Sequence, residues 1–283
     1  MNHTGSNPPN KPKTRVVAII PARYESVRLP GKVLRDIAGK PMVCWVAERA
    51  LGASNVDRTV IATDDERIMN AIETAGYEAV MTRPDHRSGT DRIAEAVLAL
   101  GDFEIVVNVQ GDEPMISPCT IELAVAELIA NPDAGITTTW EPMESIDEVL
   151  NPDVVKIVVD DAGRAIYFSR SPVPFPRDAV RRYGNLEAAL GEEPSLLVNF
   201  RKHTGLYVYR RDVLLEFTKW PQSKLEQVES LEQLRALEHG VEIRAVKAAT
   251  RSIGVDNEAD LQRVQSLFDH ENAKLAQTSV GVE

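Results

Sequence analysis

Three basic residues and a glycine lie close together just after the first apolar run of the sequence. Arg23, Arg28 and Lys32 fall within one short stretch, and Gly31 precedes the last of them. Guanidinium and ammonium groups bind phosphate oxygens through charge-assisted hydrogen bonds, and a glycine lets the backbone approach such a ligand closely. The stretch therefore indicates a polyphosphate site, although a solvated basic turn explains it equally well when it is taken alone.

A carboxylate is placed where it could complete that site. Asp112 stands in the segment Gln110-Gly111-Asp112, directly after the apolar run 105–109. Hard oxygen ligands suit Mg²⁺, above all beside a triphosphate. The alternative interpretation is that Asp112 caps a helix after Pro114.

Two further polar loops contain short hydroxyls and backbone groups that suit recognition of a nucleobase edge. Thr63 and Asp64 end the apolar run 58–63, and Arg87, Ser88 and Gly89 lie in the loop 83–91. Neither loop is specific by itself. Whether they could recognise a nucleobase depends on where the neighbouring strands and helices place them.

The first half of the chain alternates between apolar strands and amphipathic helices. The run 16–20 predicts a strand buried on both faces, which Pro21 should end because proline has no N–H to donate. Strands are also predicted at 58–63, 78–81 and 105–109, with helices between them, which indicates a doubly wound, mostly parallel α/β sheet. Because the carboxyl ends of parallel strands meet at one edge, the four polar loops should meet there.

The pattern changes in the second half. Segments 155–159 and 165–168 flank a turn sequence and predict an antiparallel hairpin, and 170–194 is an irregular excursion. A strand is predicted at 202–209, with helices at 225–239 and from Asn257 to about His270. The predicted organisation is a disordered tail (1–14), a nucleotide-binding main lobe (15–150), a smaller antiparallel lobe (151–210), a return to the main lobe (211–272) and a frayed tail (273–283).

Composition excludes several classes of protein. The 283 residues are 43% hydrophobic and 27% charged with a net charge of −11, which is typical of a soluble globular protein and argues against broad nucleic-acid or membrane binding. The two cysteines, Cys44 and Cys119, have no CxxC spacing, so a zinc site or disulfide framework is not expected. No signal peptide or membrane span is evident, which makes the cytoplasm the expected compartment. No GxGxxG follows the first strand, so a dinucleotide-dependent dehydrogenase fits poorly.

Taken together, the polar loops and their neighbours resemble one family, the 3-deoxy-manno-octulosonate (Kdo) cytidylyltransferases. The combination of PAR-x-x-S-x-RLPGK with NVQGDEP is much more specific than either motif alone. The resemblance extends over residues 16–264. Its segments, in family order, are IIPARYESVRLPGKVL, GKPM, IATDDE, TRPDHRSGTDR, VVNVQGDEP, YFSRSPVP, HTGLYVYRR, LEQVESLEQLR and GVDNEADL.

The resemblance implies a fold, a reaction and an assembly. The fold would be of the nucleotide-diphospho-sugar transferase type. CTP and Kdo would give CMP-Kdo for lipopolysaccharide synthesis, and pyrophosphate, with Mg²⁺ required. The anomeric hydroxyl of the sugar acid would attack the α-phosphorus, a step that depends on positioning and charge neutralisation rather than on a protein nucleophile. Family members are commonly homodimers that use the smaller lobe, and the same is expected here.

The resemblance also implies roles for individual residues, which fall into three overlapping sets. The catalytic set would be Arg23, Lys32, Asp112 and Asp256, of which the two aspartates would hold Mg²⁺. The nucleotide set would be Ala22, Arg23, Ser26, Arg28, Lys32, Thr63, Asp64, Arg87, Ser88, Gly89 and Gln110. The sugar-acid set would be Gln110, Arg170, His203, Tyr207 and Glu232.

Several of these residues have ordinary structural explanations as well. Asp256 could cap a helix, His203 and Tyr207 could belong to the core, and Glu232 could lie on a solvated acidic face. Glu25 occupies a position where the family commonly has a small residue, and we expect its side chain to point to solvent. Activation of a related sugar acid, such as a sialic acid or 8-amino-Kdo, is a close alternative. A nucleotide-binding homologue without turnover is a more distant one.

Overall fold

The structure is a computed structural model that describes residues 14–25 and 29–280, with side chains described as far as His270. The tail predicted to be disordered, apart from Thr14, lies outside the described residues. So do Ser26 and Arg28, which the resemblance assigned to the nucleotide.

Strands and helices alternate through the first half, as the sequence predicts. The strands are β1 (Val16–Ala22), β2 (Asp36–Ile37), β3 (Lys40–Pro41), β4 (Arg58–Thr63), β5 (Ala79–Met81), β6 (Ile105–Asn108), β7 (Ile136–Pro142), β8 (Lys156–Val159), β9 (Ala165–Ser169), β10 (Arg201–Arg210) and β11 (Ile243–Lys247). The α-helices are α1 (Met42–Leu51), α2 (Glu66–Thr74), α3 (Gly89–Leu100), α4 (Pro118–Ala130), α5 (Ile146–Leu150), α6 (Arg177–Tyr183), α7 (Leu186–Glu192), α8 (Arg211–Phe217), α9 (Lys224–Glu229), α10 (Gln233–Glu238) and α11 (Glu258–Val280).

The main sheet has the strand order β11-β7-β10-β6-β1-β4-β5, with β8 and β9 attached beside β10. Strands β6, β1, β4 and β5 run parallel, and β11 runs parallel to β7. The carboxyl ends of β1, β4, β5 and β6 therefore lie along one edge, and the four polar loops leave the sheet there, as predicted.

Strand β1 lies in the middle of the protein because both of its faces are apolar. Val16, Ala18 and Ile20 pack on one face with residues of α1, α2 and α4. Val17 and Ile19 pack on the other face with residues of α3 and α8. Helices therefore cover both faces of the sheet, which confirms the doubly wound α/β fold.

Strand β1 continues two residues beyond its predicted end. Pro21 pairs with Ala62, and Ala22 pairs with Thr63, both on β4. The carbonyl of Ile19 accepts a hydrogen bond from the N–H of Val109, on the side of β1 that faces β6. The backbone of Pro21 faces the same side, but the pairing of β1 with β6 ends at Ile19. The missing N–H of Pro21 therefore faces a position where no ladder bond is required.

Strand β10 runs antiparallel to both of its neighbours, β6 and β7, in the interior of the main sheet. Strand β8 pairs with the start of β10, and β9 pairs with β8 to form the predicted hairpin. The antiparallel strands of the smaller lobe are thus continuous with the main sheet. The excursion folds as the helices α6 and α7, which its mixed Pro, Arg and Glu content does not reveal.

Two predicted helices have different bounds. The helix expected over 225–239 is two short helices, separated at Ser230, whose φ of 52° is left-handed. Apolar periodicity continues across this break, so the periodicity alone could not reveal it. The last helix extends to Val280 rather than ending near His270.

Candidate active site

One lysine joins two aspartates that are far apart in the sequence. Lys32 Nζ lies 2.5 Å from Asp112 Oδ2 and 3.3 Å from Asp256 Oδ1. The lysine side chain is 14% exposed, and the two carboxylates remain partly open to solvent. A cationic group and two carboxylates therefore form one compact charged centre, called here the carboxylate centre.

Backbone contacts bring these three residues together. Lys32 begins a short 3₁₀ turn after Gly31, whose left-handed φ of 64° turns the chain sharply. Asp112 follows β6, and its carbonyl accepts a hydrogen bond of 2.9 Å from the N–H of Val255. That bond fixes the loop carrying Asp256 directly beside the loop carrying Asp112.

The glycine before Asp112 allows two loops to approach each other closely. A Cβ atom built on Gly111 would lie 3.0 Å from the carbonyl oxygen of Pro21. That distance leaves too little room for a side chain against rigid backbone. A glycine here is thus required by the contact between the first and fourth polar loops.

The donor set of the carboxylate centre suits Mg²⁺. Among the described residues there is no group of three or more His, Cys, Asp or Glu side chains that could enclose a metal ion. Mg²⁺ bound with a nucleotide does not need such a group, because it is usually held by one or two carboxylates together with substrate phosphates. Asp112 and Asp256 both reach one Lys32 ammonium, so they already converge on a single positive charge.

Arg23 connects the first polar loop to the third. Its guanidinium donates a hydrogen bond of 3.0 Å to the carbonyl of His86. His86 is in turn paired with Glu95 on α3, and Ala22 is buried at the end of β1. Glu25 is exposed, which confirms that its side chain faces solvent.

The side chains predicted to frame the nucleobase serve the fold as well. The Thr63 hydroxyl accepts a hydrogen bond from the N–H of Asp65, and Asp64 pairs with the fully buried Arg92 at 2.7 Å. Ser88 is the N-cap of α3 and forms a capping box with Asp91. These side-chain contacts stabilise the conformations of the second and third loops. Recognition of a base by these loops would therefore depend mainly on their backbone groups.

The other two residues assigned to the third loop differ in exposure. Arg87 is exposed, and Gly89 packs against Pro21 so closely that a Cβ atom added to the glycine would lie 3.4 Å from the proline ring. Arg87 lines a surface groove of about 810 Å³ between α3 and α8. A base held near Ser88 would lie beside this groove.

A cavity of about 640 Å³ opens beside the carboxylate centre, and Asp256 contributes to its wall. Four of the five residues predicted to surround the sugar acid line it, and they come from three separate parts of the chain. They are Gln110, His203, Tyr207 and Glu232. The Gln110 amide donates 3.3 Å hydrogen bonds to Asn108 and to the carbonyl of Gly205, so its orientation is fixed.

His203 is held neutral in the wall of this cavity. Its Nε2 lies 2.9 Å from the Thr138 hydroxyl, and its ring meets the edge of Phe168 at 5.0 Å. Burial lowers the pKa of His203 to about 3, because desolvation disfavours the imidazolium. At neutral pH it can therefore exchange hydrogen bonds with a hydroxyl but offers no positive charge.

Glu232 and Tyr207 form another part of the wall. The Thr90 hydroxyl donates a 2.9 Å hydrogen bond to Glu232, and burial raises the pKa of that carboxyl. Burial also raises the pKa of Tyr207, so its phenol stays protonated. Acceptors and donors of this kind suit the hydroxyls of a sugar.

Arg170, the fifth predicted sugar-acid residue, lies outside the cavity wall. Its guanidinium donates hydrogen bonds to the carbonyls of Glu229 (2.7 Å), Pro152 (3.0 Å) and Ser230 (3.4 Å). It thereby fixes the break between α9 and α10. The structure places this arginine behind the wall that Ser230 and Glu232 form.

A second group of charged residues extends from the cavity wall into the protein, and the sequence contains little sign of it. Glu113 accepts a 3.1 Å hydrogen bond from Ser252, and burial together with the charge of Asp112 raises its pKa to about 7. Glu141 is 2% exposed and lies near Lys202 and Arg251. The motif QGDEP includes Glu113, which we did not single out, and no local pattern indicated a partner for Glu141.

Comparison with known proteins agrees with this geometry. A family model described as cytidylyltransferase matches residues 17–243. A 3-deoxy-manno-octulosonate cytidylyltransferase of Geobacter sulfurreducens is 50% identical over 249 residues, which cover 88% of this chain and 97% of that protein. The enzyme of the same name from Trichlorobacter lovleyi is 48% identical over 251 residues, covering 89% and 97%.

A solved structure is also similar. It is described as CMP:2-keto-3-deoxy-manno-octonic acid synthetase complexed with CTP, and it superposes with a TM-score of 0.81 at 42% identity. The match covers 91% of this chain and 100% of that one. The fold and the matched family define a nucleotidyltransferase of the cytidylyltransferase class. Within that class, the chain belongs to the 3-deoxy-manno-octulosonate cytidylyltransferase family.

Proposed function

We propose that this protein transfers CMP from CTP to Kdo, giving CMP-Kdo for lipopolysaccharide synthesis and releasing pyrophosphate. The observation that carries the proposal is the carboxylate centre at the mouth of a polar cavity. Asp256 belongs to both, so a triphosphate at the centre and a sugar in the cavity would be in contact. Holding two reactants in this way supplies much of what an in-line phosphoryl transfer requires.

At the phosphate end, the proposed roles follow from charge. Lys32 and Arg23 would bind the β- and γ-phosphates, and the base would lie against the second and third polar loops. Mg²⁺, held by Asp112 and Asp256, would neutralise the phosphates and polarise the bond that breaks. The lysine lies 2.5 Å from Asp112, so it is already positioned at the point where negative charge would accumulate.

At the sugar end, neutral hydrogen-bonding groups would orient the attacking hydroxyl. Gln110, His203, Tyr207 and Glu232 all line the cavity. We assign them to the hydroxyls of the sugar, since His203 is uncharged at neutral pH. Each such contact also selects among sugars, because a missing hydroxyl would leave a partly buried polar group unpaired.

The proposal is tested by measuring pyrophosphate release from CTP with a panel of sugar acids. Kdo, 8-amino-Kdo and a sialic acid are each supplied with and without Mg²⁺, and the product is identified by mass spectrometry. We expect the largest kcat/KM with Kdo and no turnover in the presence of EDTA. A larger kcat/KM with another sugar acid would reassign the substrate, and CTP binding without turnover would indicate a silent homologue.

Two aspects of the biological setting belong to the same proposal. A homodimer is supported by Phe175 in the excursion and Val198 just after it, which are both more than half exposed, and light scattering of the purified protein would test it. A cytoplasmic location is supported by the free thiols of Cys44 and Cys119. No helix among the described residues is long and apolar enough to cross a membrane.

A further inference from the structure

The cavity is a poor host for an acid unless a cation lies in its wall. Its lining includes the carboxyl groups of Glu113, Asp153, Glu232 and Asp256. A sugar acid brings one more negative charge into this space. Partly buried like charges repel each other strongly, so the carboxylate of the substrate needs a positive partner.

Lys202 is the one lysine or arginine among the described residues that line this cavity. It lies near the start of β10, immediately before His203, and its side chain is 26% exposed. Lys202 therefore borders the cavity and is not sealed in the core. The same side chain borders a neighbouring cleft that also contains Ser252 and Gly254.

The contact that Lys202 makes within the protein is loose. Its Nζ lies 3.5 Å from Glu141 Oε2, which is at the outer limit of a hydrogen bond. Glu141 does not depend on this lysine, because it accepts a 2.8 Å hydrogen bond from the N–H of Ser252 and lies 3.6 Å from Arg251. Lys202 could therefore turn toward a ligand without leaving Glu141 isolated.

Arg170, the other candidate cation, is committed elsewhere. Its Nε, Nη1 and Nη2 groups each donate to a backbone carbonyl, and it does not line the cavity. Releasing it would leave carbonyls at the break between α9 and α10 unpaired, which costs free energy. The two cations thus differ: Arg170 is committed to three backbone carbonyls, whereas Lys202 borders the cavity with one loose contact.

We propose that Lys202 binds the carboxylate of the sugar acid and that Arg170 acts as a positioning residue for the cavity wall. The proposal rests on the proposed function. Lys202 would make the enzyme selective for an acidic sugar, because a neutral derivative of the same sugar has no carboxylate to pair with the ammonium.

The test compares charge removal at Lys202 with the same change at an exposed lysine. Initial rates with CTP and Kdo are measured for the wild type, Lys202→Met, Lys202→Arg and the control Lys247→Met, which alters an exposed residue at the end of β11. We expect Lys202→Met to raise the KM for Kdo about tenfold or more, the size of one charge-assisted hydrogen bond, with the KM for CTP within about twofold. Lys202→Arg should recover part of the loss, and Lys247→Met should match the wild type.

A second measurement separates binding of the carboxylate from a general disturbance of the cavity. The analogue of Kdo lacking the attacking hydroxyl is tested as an inhibitor, both as the acid and as its primary amide. The wild type should prefer the acid, and Lys202→Met should bind the two about equally. Unfolding by urea, followed by circular dichroism, identifies variants that fail to fold.

The outcomes separate the two proposals. If the wild type turns over Kdo but Lys202→Met retains its KM, or still prefers the acid over the amide, the assignment of Lys202 is wrong and the proposed function stands. If Lys202→Met does not fold, the acid-to-amide preference of Lys202→Gln, which also removes the charge, decides, and an unchanged preference overturns the assignment. If the wild type does not turn over Kdo with CTP, the proposed function is wrong and the assignment falls with it.

Discussion

The phosphate end and the sugar end of this site are built by different kinds of structure. The phosphate end lies where parallel strands β1 and β6 release their loops, and backbone contacts hold those loops close to each other and to the loop of Asp256. The sugar end is built along the antiparallel strand β10 and the break between α9 and α10, where side chains line the wall. Main-chain contacts determine the shape of the phosphate end, whereas side chains that can change rotamer determine the shape of the sugar end.

This difference matches what each ligand demands. Every CTP molecule presents the same phosphates in the same geometry, so a rigid frame that concentrates charge is suitable. A sugar acid is distinguished by individual hydroxyls and one carboxylate, and these are recognised by separate side chains. We therefore expect substitutions at the phosphate end to be severe and to affect kcat, and substitutions at the sugar end to be milder and to affect the KM for Kdo.

The largest effect is expected from the two aspartates of the carboxylate centre. Asp112→Asn and Asp256→Asn should each lower kcat at least about a hundredfold, which corresponds to about 2.7 kcal/mol of transition-state stabilisation. Each change removes a charge that would hold Mg²⁺ against the phosphates. Steady-state kinetics at saturating CTP, Kdo and Mg²⁺ provide the measurement.

The control for this prediction is Asp102→Asn, which removes the same charge from an exposed loop residue. It should leave kcat unchanged. Near-normal kcat in both Asp112→Asn and Asp256→Asn would contradict the assignment of these two aspartates to Mg²⁺.

A smaller effect, and a direct contrast between the two ends, is expected from a pair of glycines. A Cβ at Gly111 would meet the backbone oxygen of Pro21 at 3.0 Å, whereas one at Gly205 would meet side-chain atoms of Gln110 and Glu113 at 3.1 and 3.2 Å. The backbone oxygen of Pro21 has little freedom to move away from a new Cβ atom, whereas the side chains of Gln110 and Glu113 can rotate. Gly111→Ala should therefore lower kcat/KM for CTP about tenfold, and Gly205→Ala should raise the KM for Kdo only about threefold.

These two variants serve as each other's control, because each adds one methyl group to a closely packed glycine. Both are measured against CTP and Kdo in turn. Equal effects from the two, or a larger effect from Gly205→Ala, would show that the sugar end is as rigid as the phosphate end.

Much of the phosphate end could be predicted from the sequence because parallel strands leave a strong local signal. Segment 16–20 is apolar throughout and 105–109 is apolar except for Asn108, and the polar loops after them must meet at one edge. Lys32 and Asp112 lie near such strands, so their approach followed from the fold. Asp256 could be placed only through the family resemblance, since its local sequence is equally typical of a helix cap.

The sugar end was harder to predict because its contacts are long-range and lack a period. The break at Ser230 lies within an apolar pattern that continues as if the helix were whole. Arg170 donates to carbonyls about sixty residues away, and neither partner is marked in the sequence. Lys202 looked like an ordinary strand residue. Tertiary contacts determine the break at Ser230, the partners of Arg170 and the position of Lys202, and the periodicity of the sequence contains no information about such contacts.

An effect on stability, rather than on catalysis, is expected from His203. Burial lowers its pKa from 6.5 to about 3, so between these values the unfolded chain binds a proton that the folded chain does not. Stability contributed by the neutral ring is therefore complete above pH 6.5 and falls as the pH drops toward 3, by up to about 1.4 kcal/mol per pH unit. Between pH 7 and pH 5 this histidine alone should cost about 2 kcal/mol.

Urea unfolding at pH 7 and pH 5 measures this cost when the wild type is compared with His203→Gln, which keeps a polar group near Thr138 but cannot titrate. The variant should lose about 2 kcal/mol less than the wild type on acidification, and His270→Gln, at an exposed histidine, should lose as much as the wild type. Equal losses in all three would mean that the sugar end accepts an imidazolium. The contrast between the two ends would then fail, because a cavity that tolerates that charge would need no lysine to receive an acid.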